Sequence, residues 1–202
     1  MKPTALIFDI GGVLIDWNPR YLYRKLFPGD EAAMEHFLTH ICSTTWNLMQ
    51  DAGRSFAEGV AELTARYPEH AALIAAYHEC WEEMVPDAIA ETVEIFWALK
   101  AQQVPLYAIT NFSSEKFALM RRRFKFCRAF DGIVVSGEVR LIKPDPAIYL
   151  RLLDKYGLNA EDCMFIDDSF INVRGAEAVG MQTLHFQSPQ QLHGELKRLQ
   201  LL

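Results

Sequence analysis

Cysteine is scarce and scattered in this chain. Cys42, Cys80, Cys127 and Cys163 form no CxxC and stand at no metal-ligand spacing from a histidine, which excludes a disulfide framework and a zinc site and makes them small buried residues of a reducing compartment. Long apolar runs are missing too. Nothing approaches the roughly 20 residues that a membrane span needs, and no apolar segment follows a basic start as in a secretory signal, so the expected location is cytoplasmic. Positive charge is thin: the net charge is −6, and the one basic cluster, Arg121 to Arg123, reads as the solvated end of a helix. Nucleic acid is therefore excluded as the expected partner. There is no internal repeat and no low-complexity tract, and nothing sets an oligomeric state.

What is present is half apolar, at 50% hydrophobic and 23% charged residues over 202 positions, enough for one good core and an accessory unit. Short apolar runs read as buried strands: TALIF at 4–8, VPLYAI at 104–109, GIVVS at 132–136, CMFI at 163–166 and QTLHF at 182–186. Helical stripes separate them. Ile89, Val93, Phe96 and Trp97 precede the second run; Phe117, Met120 and Phe124 follow it; Ile148, Leu152, Leu153 and Tyr156 precede the fourth. Alternation of strand and helix predicts an α/β fold, a Rossmann-like doubly wound parallel sheet. The alternation breaks between the first run and Pro86, where a capping box (Ser55, Glu58) and the stripe Leu73, Ala76, Tyr77, Cys80, Trp81 and Met84 indicate helices only. An insertion at that point covers the carboxyl edge of the sheet, so a small α-helical cap is expected at 17–85, with the core formed by 1–16 and 86–202.

The chemistry-bearing residues fall at the ends of the strands. Asp9 closes the first, Thr110 and Asn111 follow the second, Asp167 and Asp168 end the fourth, and Lys143 lies in the loop LIKPDP between them. Gathered carboxylates repel strongly: two unit charges about 4 Å apart cost about 4 kcal/mol at an effective dielectric of 20. A divalent cation resolves this, and an all-oxygen donor set points to Mg²⁺. The same inventory suits phosphoryl transfer, with Asp9 as nucleophile.

Four segments in order, FDIGGVLID around Asp9, ITN ending at Asn111, LIKPDPAIY around Lys143 and FIDDSFINVRGAEAVGM around Asp167, resemble the motifs of the haloacid dehalogenase-like superfamily. The resemblance implies that Asp9 forms a covalent aspartyl intermediate and that Thr110, Asn111, Gly11 and Gly12 bind the oxygens of the transferred group. It implies further that Lys143 holds nucleophile and phosphate, and that Asp9, the Gly11 carbonyl, Asp167 and Asp168 hold Mg²⁺. Asn172 matches the DDxxxN variant of the fourth motif.

Gly11 departs from the DxD of most phosphatases in this superfamily, whose second aspartate protonates the leaving oxygen, work worth about 10²- to 10⁴-fold. Without that group, turnover is expected to depend steeply on the leaving group unless Asp16 or a lid residue supplies the proton. DxGxV with DDxxxN resembles the glucose-1-phosphatase-like branch and that of the epoxide hydrolase N-terminal phosphatase. The reading is a Mg²⁺-dependent phosphatase of small phosphorylated metabolites, sugar phosphates among them. The alternatives are a 2-haloacid dehalogenase, whose site is poor in acid, and a catalytically silent scaffold. Phosphonate hydrolysis would need a Schiff-base lysine from the lid, where Lys25 alone is available. Trp46, Asn47, Asp51, Arg54 and Arg20 are lid candidates for substrate contact, with tying lid helices together as their other reading. The histidines show no motif spacing.

Overall fold

The structure, a computed structural model, describes residues 2–202. Five parallel strands, β1 (Ala5–Phe8), β2 (Leu106–Thr110), β3 (Gly132–Val135), β4 (Cys163–Asp167) and β5 (Gln182–His185), form one sheet in the order β3-β2-β1-β4-β5. The apolar runs of β1 to β4 are continuous because both faces are covered, while the edge strand β5 is half-buried. Along β1 the pleat sends Leu6 and Phe8 into one apolar cluster and Ala5 and Ile7 into the other. The Ala5–Ile7 face is covered by α9 (Pro146–Tyr156) and α10 (Phe170–Ala178) through Ile148, Tyr149, Leu152 and Ala176. The opposite face packs α6 (Ala90–Ala101), α7 (Ser114–Arg123) and α11 (Pro189–Arg198). A four-residue turn of helix, α8 (Ser136–Val139), follows β3.

Between β1 and α6 the chain makes five helices and no strand: α1 (Arg20–Leu26), α2 (Glu31–His40), α3 (Thr44–Asp51), α4 (Phe56–Arg66) and α5 (Ala71–Glu79). Side chains cap three of them. Asp30 accepts from the Ala33 N–H, Ser43 from Trp46, and Ser55 with Glu58 closes a reciprocal capping box. Tyr23 packs on Phe37 at 5.0 Å and Trp46 on Tyr77 at 5.1 Å between ring centres. The lid is continuous with the main core, since Trp81 meets Phe112 edge to face at 5.5 Å.

Two expected stripes are corrected. α6 buries Thr92, Ile95, Phe96 and Leu99 and leaves Trp97 43% exposed, because Ile89 is its N-cap and the face turned to the sheet lies beside the one the apolar spacing selects. The lid stripe is two pieces: α5 stops at Glu79, and a tighter 3₁₀ turn, Trp81–Met84, carries the remainder. That break brings Ile74 inside and leaves Leu73, Ala76 and Cys80 half-buried. Arg121 to Arg123 do end a helix, and Arg123 also donates to the carbonyls of Val85 and Pro86. No helix among the described residues is long and apolar enough to cross a membrane.

Candidate active site

β1 lies at the centre of the sheet, with β2 on one side and β4 on the other. The carboxyl ends of β1 and β4 therefore open the crevice where the winding reverses, the place where α/β sheets bind ligands. Asp9 enters it immediately after Phe8, and Asp167 is the last residue of β4, whose Ile166 pairs with Phe8. This register sets the two carboxylates side by side.

Lys143 lies between them, its ammonium 2.9 Å from Asp9 Oδ2 and 2.6 Å from Asp167 Oδ2. Its side chain is fully buried. Burial alone pulls the lysine's pKa down, but the two carboxylates outweigh it and the net direction is up. Asp9 is pushed up to about 7 by burial, against the pull of Lys143 and with repulsion from Asp167 adding to the rise. Its Oδ1 accepts from the Ile10 N–H at 2.6 Å. Asp167 is saturated: Oδ1 accepts from the Ser169 N–H at 2.8 Å, and Asn172 Nδ2 lies 3.1 Å from each carboxylate oxygen. The Asn172 carbonyl in turn accepts from the Tyr149 hydroxyl at 2.8 Å. Asp168 is exposed, and partial desolvation of its carboxyl and then repulsion from neighbouring Asp167 raise its pKa.

Carboxylate oxygens of Asp9, Asp167 and Asp168 all lie within 4.8 Å of one another. A hard cation ligated at about 2.0–2.1 Å can span such a set. Three carboxylates against one ammonium leave an excess of negative charge that such an ion would balance, so the donor set fits Mg²⁺. Thr110 is 1% exposed, and its hydroxyl has no partner among the described residues. It is therefore open to a ligand oxygen.

Two expected oxygen binders also make hydrogen bonds within the chain. Asn111 spends its side chain on the backbone of Lys143, accepting from its N–H at 2.8 Å and donating to its carbonyl at 3.0 Å; it positions the lysine loop. The Gly12 N–H donates to the Ile15 carbonyl at 2.9 Å, so that amide is not free for phosphate. Gly12 instead provides room: its φ is +75°, and a Cβ there would stand 2.4 Å from Asp168 Oδ2. Gly11 is unlike it, since a Cβ there meets no atom within 4 Å.

Facing this edge, a pocket is lined by Gly11, Asn111 and Phe112 from the sheet side and by Trp17, Asn47, Asp51 and Trp81 from the lid side, with Lys116 at its wall. Asn47 and Asp51 thus reach the pocket. Trp46, Arg54 and Arg20 do not line it; they bond to the Gly59 carbonyl, to Gln50 and Glu62, and to Glu35, tying lid helices together. Asp16 accepts from the Tyr21 hydroxyl at 2.8 Å, and Lys25 is exposed and paired with Glu83. Sequence reading missed Ser136 and Lys116. The Ser136 hydroxyl, buried at the end of β3, accepts from the Phe112 N–H and donates to the Asp51 carbonyl; its signal was a polar residue closing an apolar strand. Lys116 donates to the His78 carbonyl, and nothing in its helical context marked it.

The family profile described as haloacid dehalogenase-like hydrolase matches residues 3–180. The chain belongs to the haloacid dehalogenase-like hydrolases. Among relatives of this hydrolase, a sesquiterpene phosphatase of Aspergillus oryzae is 30% identical over 196 residues, 96% of this chain and 95% of that protein. An (S)-2-haloacid dehalogenase of Burkholderia cepacia is 28% identical, over 89% of this chain and 81% of that one. Among solved structures, a predicted HAD-like family hydrolase of Porphyromonas gingivalis superposes with a TM-score of 0.76 at 21% identity, covering 99% of this chain and 98% of that one. That last likeness establishes the fold.

Proposed function

We propose that this hydrolase is a Mg²⁺-dependent phosphatase of small phosphorylated metabolites, working through an aspartyl-phosphate on Asp9. The observation that carries the reading is the gathering of Asp9, Asp167 and Asp168 around the buried ammonium of Lys143. Mg²⁺ would balance such a set and give a phosphate dianion a cation to meet, whereas a haloacid, itself a carboxylate, bound without metal would face net negative charge. The phosphatase relative, matched along nearly its whole length, supports the same side. When bound, Mg²⁺ would neutralise oxygen charge as the phosphoryl group moves. Asp9, Asp167 and Asp168 would offer it carboxylate oxygens, with the Gly11 carbonyl, Asp168 being the exposed one of the three. Asp9 attacks phosphorus, Lys143 holds the nucleophile against the incoming group, and the Thr110 hydroxyl donates to a phosphoryl oxygen.

In this reading residues 1–16 and 86–202 are the catalytic core and 17–85 the cap, and the enzyme acts in the cytoplasm with no nucleic-acid partner. Aromatic walls beside Asn47 and Asp51 suit a leaving group with both an apolar face and hydroxyls, which admits sugar phosphates and terpenoid phosphates alike. The test is phosphate release from a panel of both classes, with and without Mg²⁺. Activity is expected with Mg²⁺ and loss in excess chelator. Halide release from 2-chloropropionate in chelator, with no phosphate release in Mg²⁺, would make the dehalogenase reading the right one.

A further inference from the structure

The position two residues beyond Asp9 lacks a side chain, and the backbone does not demand this. Gly11 is absent from the positive-φ residues, and a Cβ there meets only open space. That space belongs to the pocket under the lid, and among the residues lining the pocket the one carboxyl is Asp51, the last residue of α3.

Asp51 is buried, and the groups bonded to its carboxyl are donors. Asn47 Nδ2 donates to Oδ2 at 2.9 Å, and the Ser113 backbone N–H also donates to it. Burial pushes its pKa up to about 7, against the effect of the Ser113 amide. The other ionisable groups around it are Tyr77, which burial keeps protonated, and Lys116, whose ammonium is turned to the His78 carbonyl at 2.8 Å. Neither bond made at the Asp51 carboxyl offers an acceptor to a proton there. An oxygen in the pocket would supply one.

We propose that Asp51 of the lid is the general acid and base that the position of Gly11 lacks, serving the oxygen that leaves phosphorus; this rests on the phosphatase reading above. As Asp9 Oδ attacks phosphorus, the bond from phosphorus to the ester oxygen breaks, its electron pair stays on that oxygen, and the Asp51 proton joins it, releasing the alcohol. Asp51, now a carboxylate, takes a proton from water as the water oxygen attacks the aspartyl-phosphate. The phosphorus–Asp9 bond then breaks, giving inorganic phosphate and restoring both aspartates.

The test compares single-turnover rates on 4-nitrophenyl phosphate, which needs no acid, and on a hexose phosphate, which does, in the wild type, Asp51→Asn and the double variant Asp51→Asn/Gly11→Asp. Asp51→Asn is expected to lower the hexose phosphate rate by about 10²- to 10⁴-fold and the aryl rate by less than about tenfold. Gly11→Asp in that background is expected to recover the hexose phosphate rate by about tenfold or more. A parallel loss on both substrates, or no recovery, would mean that Asp51 merely fastens the lid and would overturn the proposal while leaving the phosphatase reading intact. The wild type gives an independent readout should the variant fail to fold. With Asp51 as acid its rates depend weakly on leaving-group pKa, and a steep dependence overturns the proposal. A wild type that releases phosphate from neither ester overturns both readings together.

Discussion

The strand-end cluster and the helical face opposite it are built on opposite principles. On the sheet side the buried charges are tied. Lys143 is held through its ammonium by two carboxylates and through its backbone by Asn111, and Asp167 is held by Lys143, Asn172 and the Ser169 amide. On the lid side the bonding is incomplete: the Trp17 indole N–H, which lines the pocket, has no partner among the described residues, nor has His78 Nδ1. The sheet side fixes charges where the backbone can least move, so electrostatic work needs no rearrangement during reaction. The lid side leaves donors and apolar walls for whatever ligand completes them.

Variants that strip charge from the sheet side should have the largest effects. Asp9→Asn is nearly isosteric and a poor nucleophile. It should abolish turnover while leaving the circular dichroism spectrum and melting curve close to wild type; substantial residual phosphate release would assign the nucleophile elsewhere. Lys143→Ala should cost about 10²-fold or more in kcat. It should also destabilise the fold by about 3–5 kcal/mol, because two buried carboxylates lose their cation; urea denaturation checks this, and an unchanged midpoint would mean that the pair is not buried in solution.

A smaller contrast separates adjacent glycines. Gly12→Ala forces a left-handed conformation costing about 1–2 kcal/mol and drives a methyl against Asp168, so both stability and the Mg²⁺ needed for half-maximal activity should suffer. Gly11→Ala enters open space and should stay within about 0.5 kcal/mol of wild type. Equal effects from the two would erase the distinction.

A further effect lies on the lid side and depends on pH. Burial raises the Asp51 pKa from 3.8 to about 7. Between these values the folded chain keeps a proton that the unfolded chain has released, so Asp51 withdraws stability as pH rises through that window. Asp51→Asn has no such proton, and its melting temperature relative to wild type should climb from pH 4 to pH 7. A difference that stays flat would place the carboxyl in contact with water.

The strands were legible because a strand buried on both faces must be apolar throughout, and runs such as ALIF and CMFI have no amphipathic reading. Asp9, Asp167 and Asp168 stood out because charge at the end of such a strand has little other reason to be there, whereas Lys143, in a loop, stood out only by its place between the second and fourth motifs. What stayed hidden depended on how the pieces dock. No local pattern told Asn111 to turn to the Lys143 backbone, or gave the Gly12 amide to Ile15. The lid residues were harder still: Trp46, Asn47, Asp51 and Arg54 lie within one short stretch, and only the seating of α3 against Ser113 and Ser136 decides which of them reach the pocket.

The sheet order also governs when the enzyme can come into being. Asp9 leaves the ribosome long before Lys143 and Asp167, and β4, the strand that flanks β1 on its other side, follows both β2 and β3 in the chain. Until they arrive, the nascent chain carries its nucleophile with no cation beside it and β1 with one flank bare. Assembly of the site is thus a late step that closes contacts between distant parts of the sequence, the kind of event that makes folding slow. A chain cut short before β4 would present an apolar strand to chaperones and no chemistry to metabolites.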